Sequence, residues 1–227
     1  TFTVDNADKG KMMYIDLDGV YMNAKVWING TLLGQRPYGY SSFRYDLTPY
    51  IIYGGKNVVA VRVDNSDQPN SRWYSGCGIY RHVWLVKTEK IHVAHWGTHV
   101  VAEGKKVNVS VVVDNMTGTE EKIVVRNKVV DAEGKTVAEA AKTVTLPSAS
   151  PMLLVYPPKP ADKSRSTYHT TLTVKRPQLW SCESPYVYTV KTEILVGGNV
   201  VDTYTTTTGF RTFKFDAAKG FSLNGKS

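Results

Sequence analysis

What this sequence has little of narrows it first. Two cysteines in 227 residues, Cys77 and Cys182, form neither a disulfide framework nor a metal-ligand spacing. They read as two free, buried thiols and leave the redox compartment open. No apolar stretch approaches the roughly 18 residues of a membrane-spanning helix, so no membrane span is expected. The formal charge is +8, yet there is no Lys/Arg-rich block of five or more. Pairs such as Lys105–Lys106 are the longest basic runs, which argues against a nucleic-acid partner. Ala- or Leu-rich periodic runs are absent, which excludes a helical bundle. The chain opens on Thr1-Phe2-Thr3-Val4, a strand-like alternation with no Met and no leader. It therefore reads as an excised piece whose localisation signals were cut away.

What is present is dense in β-branched and aromatic residues, 14 Tyr and 5 Trp among them. Those side chains favour pleated, half-buried surfaces, so the expectation is an all-β chain. Lys11–Val20 alternates, with Met13, Ile15 and Leu17 on one face and Asp16 and Asp18 on the other, as in a half-buried strand. Asn29-Gly30 lies between Val26-Trp27-Ile28 and Leu32-Leu33 and supplies the two positive-φ residues of a type I′ hairpin. Asp46-Leu47-Thr48-Pro49 predicts a turn or one short helical turn, and Gly54-Gly55 a second turn. Strands are expected over Asn57–Asp64 and Tyr80–Lys87, joined by a loop.

Beyond Lys90, Trp and Gly thin out. Val107–Asp114 alternates cleanly, and Lys122–Val130 is expected to pair with it. Thr136–Leu146 reads as a strand, since Ala138–Ala141 is too short to nucleate a helix. Further strands are expected over Met152–Tyr156, Tyr168–Lys175, Tyr186–Val196 and Val200–Thr207. About seven strands with turns every eight to twelve residues or so form an immunoglobulin-like sandwich. The architecture is two consecutive β-sandwiches joined near Thr88–Val93. Trp27, Trp84 and Trp180 lie within or beside apolar strand patterns and are expected in cores. His92 and His95 point to opposite faces of a strand, so no metal site is expected.

Three stretches carry a resemblance. The first is Val26-Trp27-Ile28-Asn29-Gly30 with Leu33-Gly34, Gly39-Tyr40 and Phe43-Arg44-Tyr45-Asp46-Leu47-Thr48. The second is Asn57–Asn65 followed by Arg72-Trp73 and Gly76-Cys77-Gly78-Ile79-Tyr80-Arg81. The third is Pro177-Gln178-Leu179-Trp180-Ser181, Pro185-Tyr186-Val187-Tyr188 and Gly209-Phe210-Arg211 through Gly220–Lys226. In this order they resemble the non-catalytic front end of family 2 glycoside hydrolases, and most of all its β-galactosidase-like bacterial members.

The resemblance implies a sugar-binding jelly roll over 1–89, an immunoglobulin-like domain over 90–212, and over 213–227 the start of the connection to a catalytic TIM barrel. It implies a jelly roll truncated at its N-terminus, with an open sheet edge through which the chain self-associates. Such enzymes retain configuration using two glutamates on the barrel, the acid/base following an Asn. This chain has no Asn-Glu pair, and its eight Glu residues are expected in turns, loops and strand edges. No catalytic residue, cofactor or metal ligand is therefore assigned, and the chain alone is expected to be inactive. The implied partners are the catalytic barrel of the same protein and a β-galactoside.

The residues themselves single out the loop over 65–74. Asp64, Asn65, Asp67, Asn70, Arg72, Trp73 and Tyr74 are the substrate-binding candidates. Carboxylates and amides exchange hydrogen bonds with sugar hydroxyls, Arg forks onto them, and Trp stacks on a pyranose face. Packing of Arg72 and Trp73 against a neighbouring domain is the competing reading. Tyr38, Tyr40 and Tyr45 suit either a sugar platform or hairpin packing. For Cys77, between two glycines, small size explains the residue better than thiol chemistry does. The rival to an enzyme's front end is a stand-alone carbohydrate-binding or adhesion module.

Overall fold

A computed structural model describes residues 1–67, 72–148 and 165–226. The described residues are almost entirely strands and turns, and they fall into two compact units that divide after Lys90. The strand expected over Met152–Tyr156 lies outside the described residues, as does Asn70.

The first unit contains β1 (Phe2–Thr3), β2 (Met12–Leu17), β3 (Val20–Tyr21), β4 (Ala24–Ile28), β5 (Thr31–Arg36), β6 (Phe43–Asp46), β7 (Lys56–Asn57), β8 (Val59–Arg62), β9 (Gly78–Ile79) and β10 (Val83–Thr88). Two three-stranded antiparallel sheets, ordered β10-β2-β6 and β5-β4-β8, bury their inner faces together, with β1-β7 and β3-β9 as small flanking pairs. Met13, Ile15 and Leu17 of β2, Val26 and Ile28 of β4, Phe43 and Leu47 form the core.

The Asn29-Gly30 hairpin forms as its sequence predicts, with φ of 48° and 86°. Asn29 does more than turn the chain. Its Nδ2 donates to the Tyr50 carbonyl at 2.8 Å and to Asn57 Oδ1 at 2.9 Å, and its Oδ1 accepts from the Val58 N–H at 2.9 Å. Diverting the Val58 amide breaks the strand expected over Asn57–Asp64. Asn57 pairs with β1, and β8 pairs with β4. The short helical turn is a 3₁₀ turn over Thr48–Tyr50.

Strand β2 is buried on both faces rather than half-buried. Its outward Asp16 lies opposite Arg44, which grips it in a two-pronged ion pair at 2.5 and 2.7 Å, and the guanidinium covers the Tyr14 ring at 4.7 Å. The strand expected from Tyr80 starts only at Val83, because Tyr80 turns its amide to the Gly19 carbonyl and its hydroxyl to the Gly39 carbonyl. None of the three tryptophans sits in a core. Trp27 is half-buried opposite the core face of β4. Trp84 is 52% exposed, stacked on His82 and donating to Asp18 Oδ2 at 3.0 Å. Trp180 is half-buried beneath Arg211. Period-two placement put the Trp27 and Trp84 indoles on the outer sides of β4 and β10, and Trp180 lies outside any strand. Both cysteines are exposed, which corrects the expectation of burial.

Among the described residues the second unit is a seven-stranded sandwich: β11 (Ile91–Glu103), β12 (Lys106–Asn115), β13 (Glu121–Val130), β14 (Thr136–Leu146), β15 (Arg165–Thr173), β16 (Tyr188–Val196) and β17 (Asn199–Thr208). The sheets are β11-β12-β15 and β14-β13-β16-β17, an immunoglobulin-like arrangement. A hairpin of β18 (Phe213–Asp216) and β19 (Gly220–Leu223) follows. Val107, Val109, Val111 and Val113 of β12 face Ile123, Val125, Val190 and Ile194 across the core, closed by Phe210.

β13 does not pair with β12, as its proximity in sequence suggests. Between them Asn115 donates to the Thr119 and Pro147 carbonyls and accepts from the Thr117 N–H, a turn that carries the chain into the other sheet. Strand β11 belongs to the first sheet and also touches the second through side chains. Four residues, Ala94–Gly97, stand opposite the single Val112, and β11 then reaches β17 through Val93 N–H to Asp202 (2.7 Å) and Thr98 to Thr206 (2.8 Å).

Glu193 corrects the expectation that glutamates occupy turns, loops and strand edges. It lies in inner strand β16, 4% exposed, contacted by Arg126 (2.6 Å), Lys191 (2.9 Å) and Lys128 (3.1 Å). Burial pushes its carboxyl pKa upward, but the three cations together win and hold it at about 2.

Candidate functional site

Of the candidate residues, Asp64 and Asp67 fall in one cleft of the first unit and Tyr74 in another. Asp64 and Asp67 line a polar cleft of about 320 Å³ with Asn23, Lys25, Gln35, Arg62 and Ser66. The strand geometry explains this. Lys25 lies opposite both Gln35 and Arg62, so side chains from three adjacent strands form the floor. The rim is fixed by the backbone: Asp64 N–H donates to the Met22 carbonyl at 3.0 Å, and Asn23 Nδ2 donates to the Asp64 carbonyl at 3.1 Å.

The Asp64 carboxylate accepts from the Ser66 hydroxyl at 2.6 Å and the Ser66 N–H at 3.2 Å, and Arg62 approaches at 3.6 Å. Those hydrogen bonds, with Arg62 and Lys25 adding smaller pulls, lower its pKa and keep it an anionic acceptor. The cleft thus pairs two carboxylates with two cations and two amides. That mixture suits a polyhydroxylated neutral ligand better than a strongly charged one.

Asn65 ties the polar cleft to the second setting, with Nδ2 donating to the Gly76 carbonyl at 3.2 Å. Tyr74 is fully exposed and lines a cleft of about 270 Å³ walled by Tyr21, Tyr40, Ile79 and Tyr80. Arg72 and Trp73, the latter 68% exposed, line neither cleft. Tyr38 and Tyr40 are mostly exposed and touch edge to face at 5.8 Å, whereas Tyr45 packs on Phe43 and Gly34 in the hairpin. Sequence reasoning missed Lys25, Gln35 and Arg62, whose period-two placement on β4, β5 and β8 was the available signal. It also missed Tyr21, for which no local signal existed. No group of three or more His, Cys, Asp or Glu that could hold a metal is gathered among the described residues.

The chain belongs to the glycosyl hydrolases family 2: its sugar binding domain matches residues 1–89 and a second family 2 domain matches residues 90–211. Over its whole length the chain is 48% identical to a β-galactosidase of Bacteroides ovatus, covering 26% of that protein, and 40% identical to a putative β-glucuronidase of Formosa agariphila, covering 20% of it. A crystal structure of a family 2 glycosyl hydrolase from Bacteroides cellulosilyticus matches all of this chain with a TM-score of 0.87 and 38% identity, over 30% of that chain. This chain spans about a quarter of the length of the curated relatives it matches.

Proposed function

We propose that this chain is the non-catalytic N-terminal portion of a retaining exo-β-glycosidase, a β-galactosidase. On this reading residues 1–89 are the sugar-binding jelly roll, residues 90–212 the immunoglobulin-like support, and the catalytic glutamates belong to a barrel elsewhere in the full protein. The loop from Asp64 to Tyr74 walls the subsite for the sugar to be released. The observation that carries this is Asp64, an anionic acceptor held by Ser66 at the rim of an open polar cleft. The 48% identity to a β-galactosidase favours galactose over glucuronate as the sugar.

The full-length protein should hydrolyse nitrophenyl β-galactoside faster than nitrophenyl β-glucuronide. In it, Asp64→Ala should raise KM about tenfold, the loss of one charge-assisted hydrogen bond. The 227-residue chain alone should give no turnover. Hydrolysis by the chain alone, or an unchanged KM in Asp64→Ala, would sink this reading.

A further inference from the structure

Apart from Tyr74, the tyrosine-walled cleft is unused by the reading above. Its walls come from three distant stretches, and each is fixed in place. Tyr21 lies against Gly39, where an added Cβ would come within 2.3 Å of the ring. Tyr80 lies against Gly19 in the same way, at 2.6 Å, and its hydroxyl donates to the Gly39 carbonyl at 2.9 Å. Tyr40 leans between them, 5.1 Å from Tyr21 and 6.4 Å from Tyr80, inclined at 59° and 67°. The result is a cup of tilted rings instead of a stack closed upon itself. Tyr40 and Tyr80 remain about half exposed and Tyr74 stands wholly in solvent, so ring faces are available to a ligand. Gly76 and Gly78 line the same cleft, and an added Cβ at either would meet nothing within 4 Å, so a ligand can approach the backbone there. Pre-set aromatic faces with polar tips bind a ring with one apolar face and hydroxyls at its edge at little ordering cost.

Position completes the argument. Tyr21 walls this cleft and Asn23, two residues on, walls the polar one, a separation of at most about 7 Å along the chain. That is the scale of one sugar unit. Resting on the assignment of the polar cleft to the released galactosyl unit, we propose that the tyrosine cleft is a second subsite. It stacks the adjoining pyranose of a neutral oligosaccharide and makes the protein select chains over single glycosides.

The test is an amide NMR titration of the 227-residue chain with β-linked galactotriose and with methyl β-galactoside. Galactotriose should shift Tyr40, Gly76, Gly78 and Tyr80, and methyl β-galactoside should leave them in place. Tyr40→Ala should weaken galactotriose binding about tenfold, as loss of one stacked ring predicts, while Tyr40→Phe retains it and shows that the cleft is still folded. Shifts at Tyr40 and Tyr80 that persist in Asp64→Ala would support this subsite even if the hydrolysis experiments failed. Galactotriose that moves none of the four amides, or binds Tyr40→Ala as tightly as the unmodified chain, overturns the proposal.

Discussion

Among the described residues of the first sandwich no strand exceeds six residues, while the seven strands of the second run from nine to thirteen. Both are antiparallel and both have apolar cores, so the difference lies in how often the chain leaves its ladders. In the first unit it leaves constantly, and the described candidate binding groups lie near strand ends, in the turn between β5 and β6, or in the loop after β8. In the second, long ladders leave few departures, and polar side chains turn inward. Asn127 is fully buried, accepting from Thr192 at 2.7 Å and donating to Thr170 of the opposite sheet at 2.6 Å, and Glu193 is clamped by three cations. Short strands display chemistry, and long ones hold the structure together.

The sharpest way to break this contrast is to remove a core ring from the second unit. Phe210 is 1% exposed and meets Tyr188 edge-on at 5.1 Å. Phe210→Ala should cost about 4 kcal/mol, read by hydrogen exchange across β12, β13 and β16. A loss under about 1 kcal/mol would show that the long ladders do not depend on this core.

Next comes Glu193. Its folded pKa of about 2 lies below its ordinary 4.5. It therefore contributes fully above about pH 4.5, and the contribution is lost as pH falls toward about 2, a total of about 3 kcal/mol. Denaturation followed over this range should show stability falling with acid, and Glu193→Gln should flatten that slope. An equal slope in the variant would mean the carboxylate titrates as it does in the unfolded chain.

Smaller is the hairpin of the first unit. Gly30 holds φ at 86° with open space around it, so Gly30→Ala should cost about 1 kcal/mol from backbone strain alone. Smallest is Tyr74→Ala, which should move stability by less than about 0.5 kcal/mol, since the side chain is wholly exposed. A larger effect on the thermal midpoint would erase the distinction between displayed and supporting residues.

The strands of the second unit were legible because a period of two, mostly apolar, runs along β12, β13 and β16, interrupted only by Asn127 in β13 and Thr192 in β16. Their pairing was not, since Asn115 redirects the chain through bonds to residues four and thirty-two positions away. The Asn29-Gly30 turn was legible, and its reach to Val58, which splits a strand, was not. In the candidate site the loop's carboxylates and Tyr74 announced themselves by residue type. The tyrosine cup is a product of tertiary structure: Tyr21, Tyr40 and Tyr80 belong to separate stretches, and only two glycine seats bring their rings to common ground. Trp84 misled because an apolar strand pattern does not say which side faces out.

The four residues of β11 displaced between Val93 and Thr98 have a mechanical meaning. A pull along the backbone at Ile91 loads the ladder with β12 on one side, while Asp202 of β17 grips the Val93 amide on the other. The strand is pinned from both flanks and resists as a sheared seam, not as an edge that peels. Asp202→Ala should lower the force needed to extract it in single-molecule pulling; an unchanged rupture force would place the resistance in the β12 ladder alone. Two different holds on one strand, a backbone ladder and a carboxylate from the facing sheet, thus set how it answers a pull.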